Sequence, residues 1–162
     1  MENLAYQVSQ ILLQPVLIGI YISFVYGVIE VGRMIALFWL RQQQYQENQA
    51  QPGYPILNYF LTQKSVTLNE IEVYALKKLE TVRIVTRLTP MLGLIATLIP
   101  MGPALVALEE NNTFAMGEHL GVAFTAVTIS LAAASLTFWV ASVKKRWFAE
   151  ELVEIEKQLG AS

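Results

Sequence analysis

Charged side chains along this chain fall in blocks, and the gaps between the blocks define its elements. Residues 88–108 hold none, and neither do residues 120–143. A helix rises about 1.5 Å per residue, so each gap is long enough to cross a bilayer core of about 30 Å. A third apolar run, Ile11 to Ile29, is interrupted only by Gln14, Pro15 and Ser23. Beyond it come Glu30 and Arg33, spaced i,i+3 on one helix face, then Met34–Leu40 and Arg41. This pattern predicts one long first helix whose upper part spans the membrane. Its lower part carries Glu30 and Arg33 as a structural ion pair at the inner boundary. The run is not expected to act as a secretory signal, because Met1 to Gln10 contains Glu2 and no basic residue.

The polar segments also read as helical. Thr67-Leu68-Asn69-Glu70 fits a capping box, in which threonine and glutamate satisfy backbone donors at a helix start. Leu68, Ile71, Ala75, Leu79, Val82 and Val85 then recur at three- and four-residue steps, with Lys77, Lys78, Glu80, Arg83 and Arg87 opposite. This helix is expected to run into the second span, with Thr89-Pro90 as the junction. Phe148, Leu152, Ile155 and Leu159 make a similar stripe after the third span. The Gln-rich run Gln42–Gln51 and Pro52-Gly53 mark a loop. The expected organisation is therefore an outer amino terminus and first transmembrane helix with its inner extension over 1–40, and an inner loop and helix over 41–87. The second transmembrane helix covers 88–108, an outer loop 109–119, the third transmembrane helix 120–143 and an inner carboxyl-terminal helix 144–162. The fold class is all-α and membrane-embedded, with three spans.

Orientation follows from the eleven basic residues. Arg33 and Arg41 end span one, five lie between spans one and two, and Lys144, Lys145, Arg146 and Lys157 follow span three. The amino-terminal tail and the 109–119 loop have none. Lys and Arg accumulate on the cytoplasmic side, so the amino terminus is expected outside and the carboxyl terminus inside. Composition agrees: 54% of residues are apolar and 15% charged, against about 25% charged for a soluble domain. The chain has no Cys, no Asp and one His. Disulfide scaffolds, metal-ligand clusters and nucleophile–His–acid sites are thus excluded, and no enzyme chemistry or cofactor is expected. Lys144-Lys145-Arg146 reads as a stop-transfer anchor at the headgroups and not as a nucleic-acid site.

Spans two and three carry more small and hydroxyl residues than passive anchors need. Gly93, Ala96, Thr97, Pro100 and Ala104 share one side of span two. Span three has Ala123, Ala126, Ser130, Ala133, Ala134 and Thr137, with Thr125, Thr128 and Ser135 nearby. Small residues let membrane helices approach closely, so close packing is one reading of the set. The other is a hydroxyl-lined, partly hydrated path. Pro100 and Pro103 support the second reading, because each frees a carbonyl one turn back. No ionisable group lies within either span. A chain that moved protons by its own carboxylate relay would need one there, so any titrating group must come from a partner. Glu118 and His119, at the outer start of span three, are candidates for a proton-collecting mouth or simply an interfacial pair. Glu109 and Glu110 are read as solvated loop residues, and Asn111-Asn112-Thr113 matches a glycosylation sequon.

In span two, Pro90-Met91-Leu92-Gly93-Leu94-Ile95-Ala96-Thr97 resembles the Ala-Pro-x-x-Gly-Leu-x-Gly-Thr-Val segment of the MotA/TolQ/ExbB proton-channel family. Thr97 falls on that segment's pore-facing threonine, and Ala96 replaces its glycine. In span three, Ala123-Phe124-Thr125-Ala126-Val127-Thr128-Ile129-Ser130-Leu131 is similar to the family's Ala-Leu-x-Thr-Thr-Ala-x-Gly-Leu. The paired threonines of the family fall on Ala126 and Val127, with Thr125 and Thr128 flanking, and Ser130 takes the glycine position. The three-span topology matches the ExbB/TolQ-like branch.

The resemblance implies a subunit of an ion-driven motor in the inner membrane of a prokaryote. Such subunits form a ring, generally a homopentamer, in the lipid bilayer. Spans two and three line a pore around an ExbD/TolR/MotB-like protein with one transmembrane helix, whose Asp carries H+. Na+ is the alternative ion. Pore-lining positions on this reading are Thr97, Thr125, Thr128, Ser130 and Pro100. A proton yields about 2.3 kcal/mol per 100 mV, adequate to drive a conformational cycle. The alternatives are a non-conducting membrane scaffold and a transporter accessory subunit.

Overall fold

The computed structural model of the protein describes residues 2–43, 53–62 and 67–160. Four helices follow one another: α1 Glu2–Gln43, α2 Pro55–Thr62, α3 Leu68–Glu109 and α4 Thr113–Gly160. No strand occurs among the described residues. α1, α3 and α4 are each long and apolar enough to cross a membrane. The Gln-rich stretch from residue 44 to 51 lies outside the described residues, and Gln42 and Gln43 continue α1. The chain divides into two compact units. The first comprises Met1–Val28 and Val85–Leu136, the second Ile29–Ile84 and Thr137–Ser162.

In the first unit the core is built from small side chains. Val16 and Ile20 of α1 meet Ala96 of α3 and Ala126 of α4, with Leu17, Leu92, Ile95 and Ile129 packed around them. Pro15, Pro90, Pro100 and Pro103 all lie inside helices. α3 therefore continues through the expected Thr89-Pro90 junction without a break. Thr89 is fully buried, and its hydroxyl donates to the Val85 carbonyl at 2.7 Å.

The connection from α3 to α4 is residues 110–112, much shorter than the loop expected over 109–119. Two asparagines explain the economy. Asn111 adopts a left-handed conformation, φ 54°. Its N–H donates to Leu108 O at 3.1 Å, and that of Asn112 donates to Ala107 O at 2.8 Å. This is the Schellman termination of a helix, with asparagine where glycine is commoner. Asn112 then opens α4, its side-chain oxygen accepting the Ala115 N–H at 3.1 Å. Substituting Asn111 by glycine should preserve or raise stability, whereas valine should lower it by about 1–2 kcal/mol through left-handed strain. Thermal unfolding in detergent would rank the three.

The second unit has its own core: Ile56 of α2, Ile71, Ala75 and Leu79 of α3, and Phe148 and Ile155 of α4. The glutamate limb of the capping box is present, with Glu70 Oε2 accepting the Thr67 N–H at 3.0 Å. Among the described residues, α2 has no local side-chain cap of this kind. Its first free amides, Ile56 N and Leu57 N, donate to Glu151 Oε2 of α4 at 2.8 and 3.2 Å. The other oxygen of Glu151 accepts from the Arg41 guanidinium of α1. Arg41 also donates from Nε to the Gly53 carbonyl at 2.8 Å and lies over the rings of Tyr54 and Trp147 at 4.4 and 4.6 Å. Gly53 sits at φ 109°, a conformation only glycine adopts readily. One carboxylate thus ties α1, α2 and α4 together.

The Glu30–Arg33 pair forms as expected at 3.0 Å, and a third member joins it. Lys144 reaches back from α4 to the second Glu30 oxygen. Of the three basic residues read as a headgroup anchor, Lys144 is thereby turned inward, and Lys145 and Arg146 are exposed.

Candidate functional site

The hydroxyl and small residues singled out from the sequence lie on α3 and α4, all but Thr137 in the first unit, and the fold sorts those of the first unit into two sets. The first set is buried. Gly93, Ala96, Pro100 and Ala104 line the inner side of α3, and Ala123, Ala126, Ser130, Ala133 and Ala134 that of α4. The two helices approach closely at Gly93. A Cβ added there would lie 2.0 Å from Ser130 Oγ and 2.9 Å from Ser130 Cβ. Ser130 is fully buried, and its hydroxyl donates to the Val127 carbonyl at 2.9 Å. Ser130 and Pro100 therefore face the chain's own helices, and the close-packing reading applies to this set.

The second set points outward. Gly121, Thr125, Thr128, Ala132 and Ser135 are all exposed and follow one another at steps of four, three, four and three residues. That spacing makes a single stripe along α4. Thr97, half-buried, stands one residue after the buried Ala96 on α3. Each of these hydroxyls donates to a carbonyl of its own helix: Thr97 to Leu94 at 2.8 Å, Thr125 to Gly121 at 2.8 Å, Thr128 to Phe124 at 2.7 Å and Ser135 to Leu131 at 2.8 Å. The helix thus holds the hydroxyl proton, while the oxygen keeps lone pairs for a further donor. Such an oxygen accepts from water or from a protonated carboxyl without ionising. Ser135 extends the stripe beyond Thr128, a continuation that only the exposed face of α4 reveals.

The other outward faces of this unit differ in kind. On α1 they are Ile11, Leu12, Ile18, Tyr21, Ile22 and Val25, bulky side chains suited to hydrocarbon. On α3, Met91, Leu94, Leu98 and Leu105 are likewise bulky and exposed. The α4 stripe is the small, hydroxylated exception. Glu118 and His119 lie in the second turn of α4, the first exposed and the second half-buried, and Glu109 and Glu110 are exposed. The connection carrying the last two is short, so Glu109 and Glu110 lie at the same end of the first unit as the start of α4 that carries Glu118 and His119.

The model of the MotA/TolQ/ExbB proton channel family matches residues 57–157, more than half of the 162 in the chain. The match covers both α3 and α4 with their hydroxyls. Neither the curated proteins nor the solved structures compared with the chain contain a match to it. Three membrane-length helices and this match lead to one conclusion: the chain belongs to the MotA/TolQ/ExbB proton channel family, as a channel subunit and not an enzyme.

Proposed function

We propose that this subunit forms a homopentameric ring in the inner membrane of a prokaryote, with its amino terminus outside. The ring surrounds an ExbD/TolR/MotB-like single-span partner whose Asp takes up and releases H+. Ion flow then turns proton-motive force into movement of the ring about the partner. The observation that carries this reading is a pairing of two facts. Residues 88–108 and 120–143 contain no ionisable side chain, yet one face of α4 presents exposed hydroxyls where its neighbours present hydrocarbon.

Within this reading Thr97, Thr125 and Thr128 solvate the partner's carboxyl and position water beside it. Ser130 and Pro100 act indirectly, by setting the approach of α3 to α4. A hydrogen bond to a charged group contributes about 1.5–3 kcal/mol. Thr97→Val is therefore expected to lower proton flux through the reconstituted complex by about tenfold or more while assembly is retained. Flux measured in proteoliposomes with a pH-sensitive dye checks this. Unchanged flux in Thr97→Val and in Thr125→Val/Thr128→Val, or a complex that is proton-tight before any substitution, would favour the scaffold alternative.

A further inference from the structure

We infer that the inner end of α1 seats the phosphate of one anionic phospholipid on Arg33. The argument starts from a charge count around Glu30. Its side chain is 5% exposed and that of Lys144 is 11%, whereas that of Arg33 is 69%. One carboxylate oxygen accepts from Arg33 Nη1 at 3.0 Å and the other from Lys144 Nζ. Lys144, closed in beside the carboxylate, is enough to neutralise it. The three groups therefore sum to +1, and the surplus sits on the outward-facing guanidinium.

That guanidinium spends one donor on Glu30. Its planar fork has five N–H groups and matches the paired oxygens of a phosphodiester. The ground beside it is open and apolar. Ile29, one turn earlier, is 55% exposed, and a Cβ built on Gly32 would meet nothing within 4 Å. Hydrocarbon surface leading to an unmatched cation, at the point where an apolar helix gives way to charged residues, fits an acyl chain ending in a headgroup. The net charge selects the lipid. A zwitterionic headgroup would bring its own ammonium to a site already at +1, whereas an anionic one brings the total to zero. It would also relieve the repulsion between Arg33 and Lys144 across Glu30.

Arg146 provides the contrast. It is also exposed, but its Nε lies 3.7 Å from the exposed Glu150 one turn on, which matches its charge locally. The site lies in the second unit and uses none of the hydroxyls, so its test is independent of the proton pathway.

The experiment titrates the detergent-solubilised full chain with phosphatidylglycerol and with phosphatidylcholine of identical acyl chains, following bound lipid by native mass spectrometry. One juxtamembrane basic residue is worth about a fivefold preference for an anionic lipid. Wild type is expected to prefer phosphatidylglycerol by about that factor, and Arg33→Gln to lose the preference. Arg33→Lys should keep part of it, having the charge without the fork, and supplies the result if the glutamine variant fails to fold. Arg146→Gln should keep all of it. Equal binding of the two lipids by wild type, or a preference that survives in Arg33→Gln, overturns the proposal. So does displacement of the bound lipid by an equal concentration of inorganic phosphate, which would make this a free-phosphate site.

Discussion

Replacing Glu151 by alanine is expected to destabilise the second unit by about 3–5 kcal/mol, the cost of leaving a buried charge without its partner. The consequences reach three helices. Arg41, whose side chain is 12% exposed, would keep its two aromatic contacts but lose its counter-charge. Ile56 N and Leu57 N would lose their acceptor, so α2 would start on two uncapped amides. Glu151→Gln should fall between wild type and alanine, because its one oxygen can serve the amides or the guanidinium but not both. Removing both charges, as in Arg41→Met/Glu151→Leu, should recover part of the loss and not all of it. The charge defect is gone, but the uncapped α2 amides remain. Thermal unfolding in detergent would give the ranking, and protease cleavage within residues 53–62 would report on α2 itself. Equal stability of wild type and Glu151→Ala would show that the carboxylate does not hold the unit together.

This node marks the limit of what the sequence discloses. Pro55 is a favourable first residue for a helix, and Pro52-Gly53 signals the turn before it, yet α2 is not evident from its eight residues. Its cap lies 95 positions further along the chain, on Glu151, and no local pattern points there. Arg41 is visible only as the basic end of an apolar run, and its partner is 110 residues away. The α3–α4 turn fails for a different reason. Absence of basic residues and the sequon-like Asn111-Asn112-Thr113 suggest an open loop, whereas the two asparagines terminate one helix and start the next. Both functions are local, so the signal was present but matched two motifs.

The three spans, by contrast, are legible because a charge-free gap of membrane length has few other uses. The candidate hydroxyls were legible as a group and not as individuals. Threonine, serine and alanine recur on both sides of α4, and residue type alone does not say which side meets α3. Only the packing separates Ser130, buried, from Thr128, exposed, two positions apart. The same packing accounts for the departure from the family pattern at Ser130. A serine in place of glycine adds bulk to a helix contact, and it is accommodated here because the facing residue is Gly93.

That accommodation gives the second large effect: Gly93→Ala is expected to cost the first unit about 1–3 kcal/mol, as overpacking of a close helix contact does. The new Cβ would stand 2.0 Å from Ser130 Oγ, and rotating the hydroxyl away leaves Ser130 Cβ still at 2.9 Å. The side chain is too short to yield, so α3 and α4 themselves must separate. Transferring the vacancy to the other helix tests this directly. Gly93→Ala/Ser130→Gly removes both close atoms and leaves Val127 Cα at 3.8 Å, an ordinary contact. It should recover most of the loss, reduced by about 1 kcal/mol for a helical glycine. Gly93→Ala/Ser130→Ala removes only the oxygen and should recover less. Thermal unfolding of the solubilised protein would establish the order. A single Gly93→Ala variant as stable as wild type would mean that the helices do not approach this closely. On the proposed function, proton flux supplies a second readout, because Thr97 stands one turn from Gly93 and Thr128 two residues from Ser130. Spreading the helices displaces both hydroxyls, so Gly93→Ala should lower flux with every hydroxyl intact, and the swapped pair should restore it.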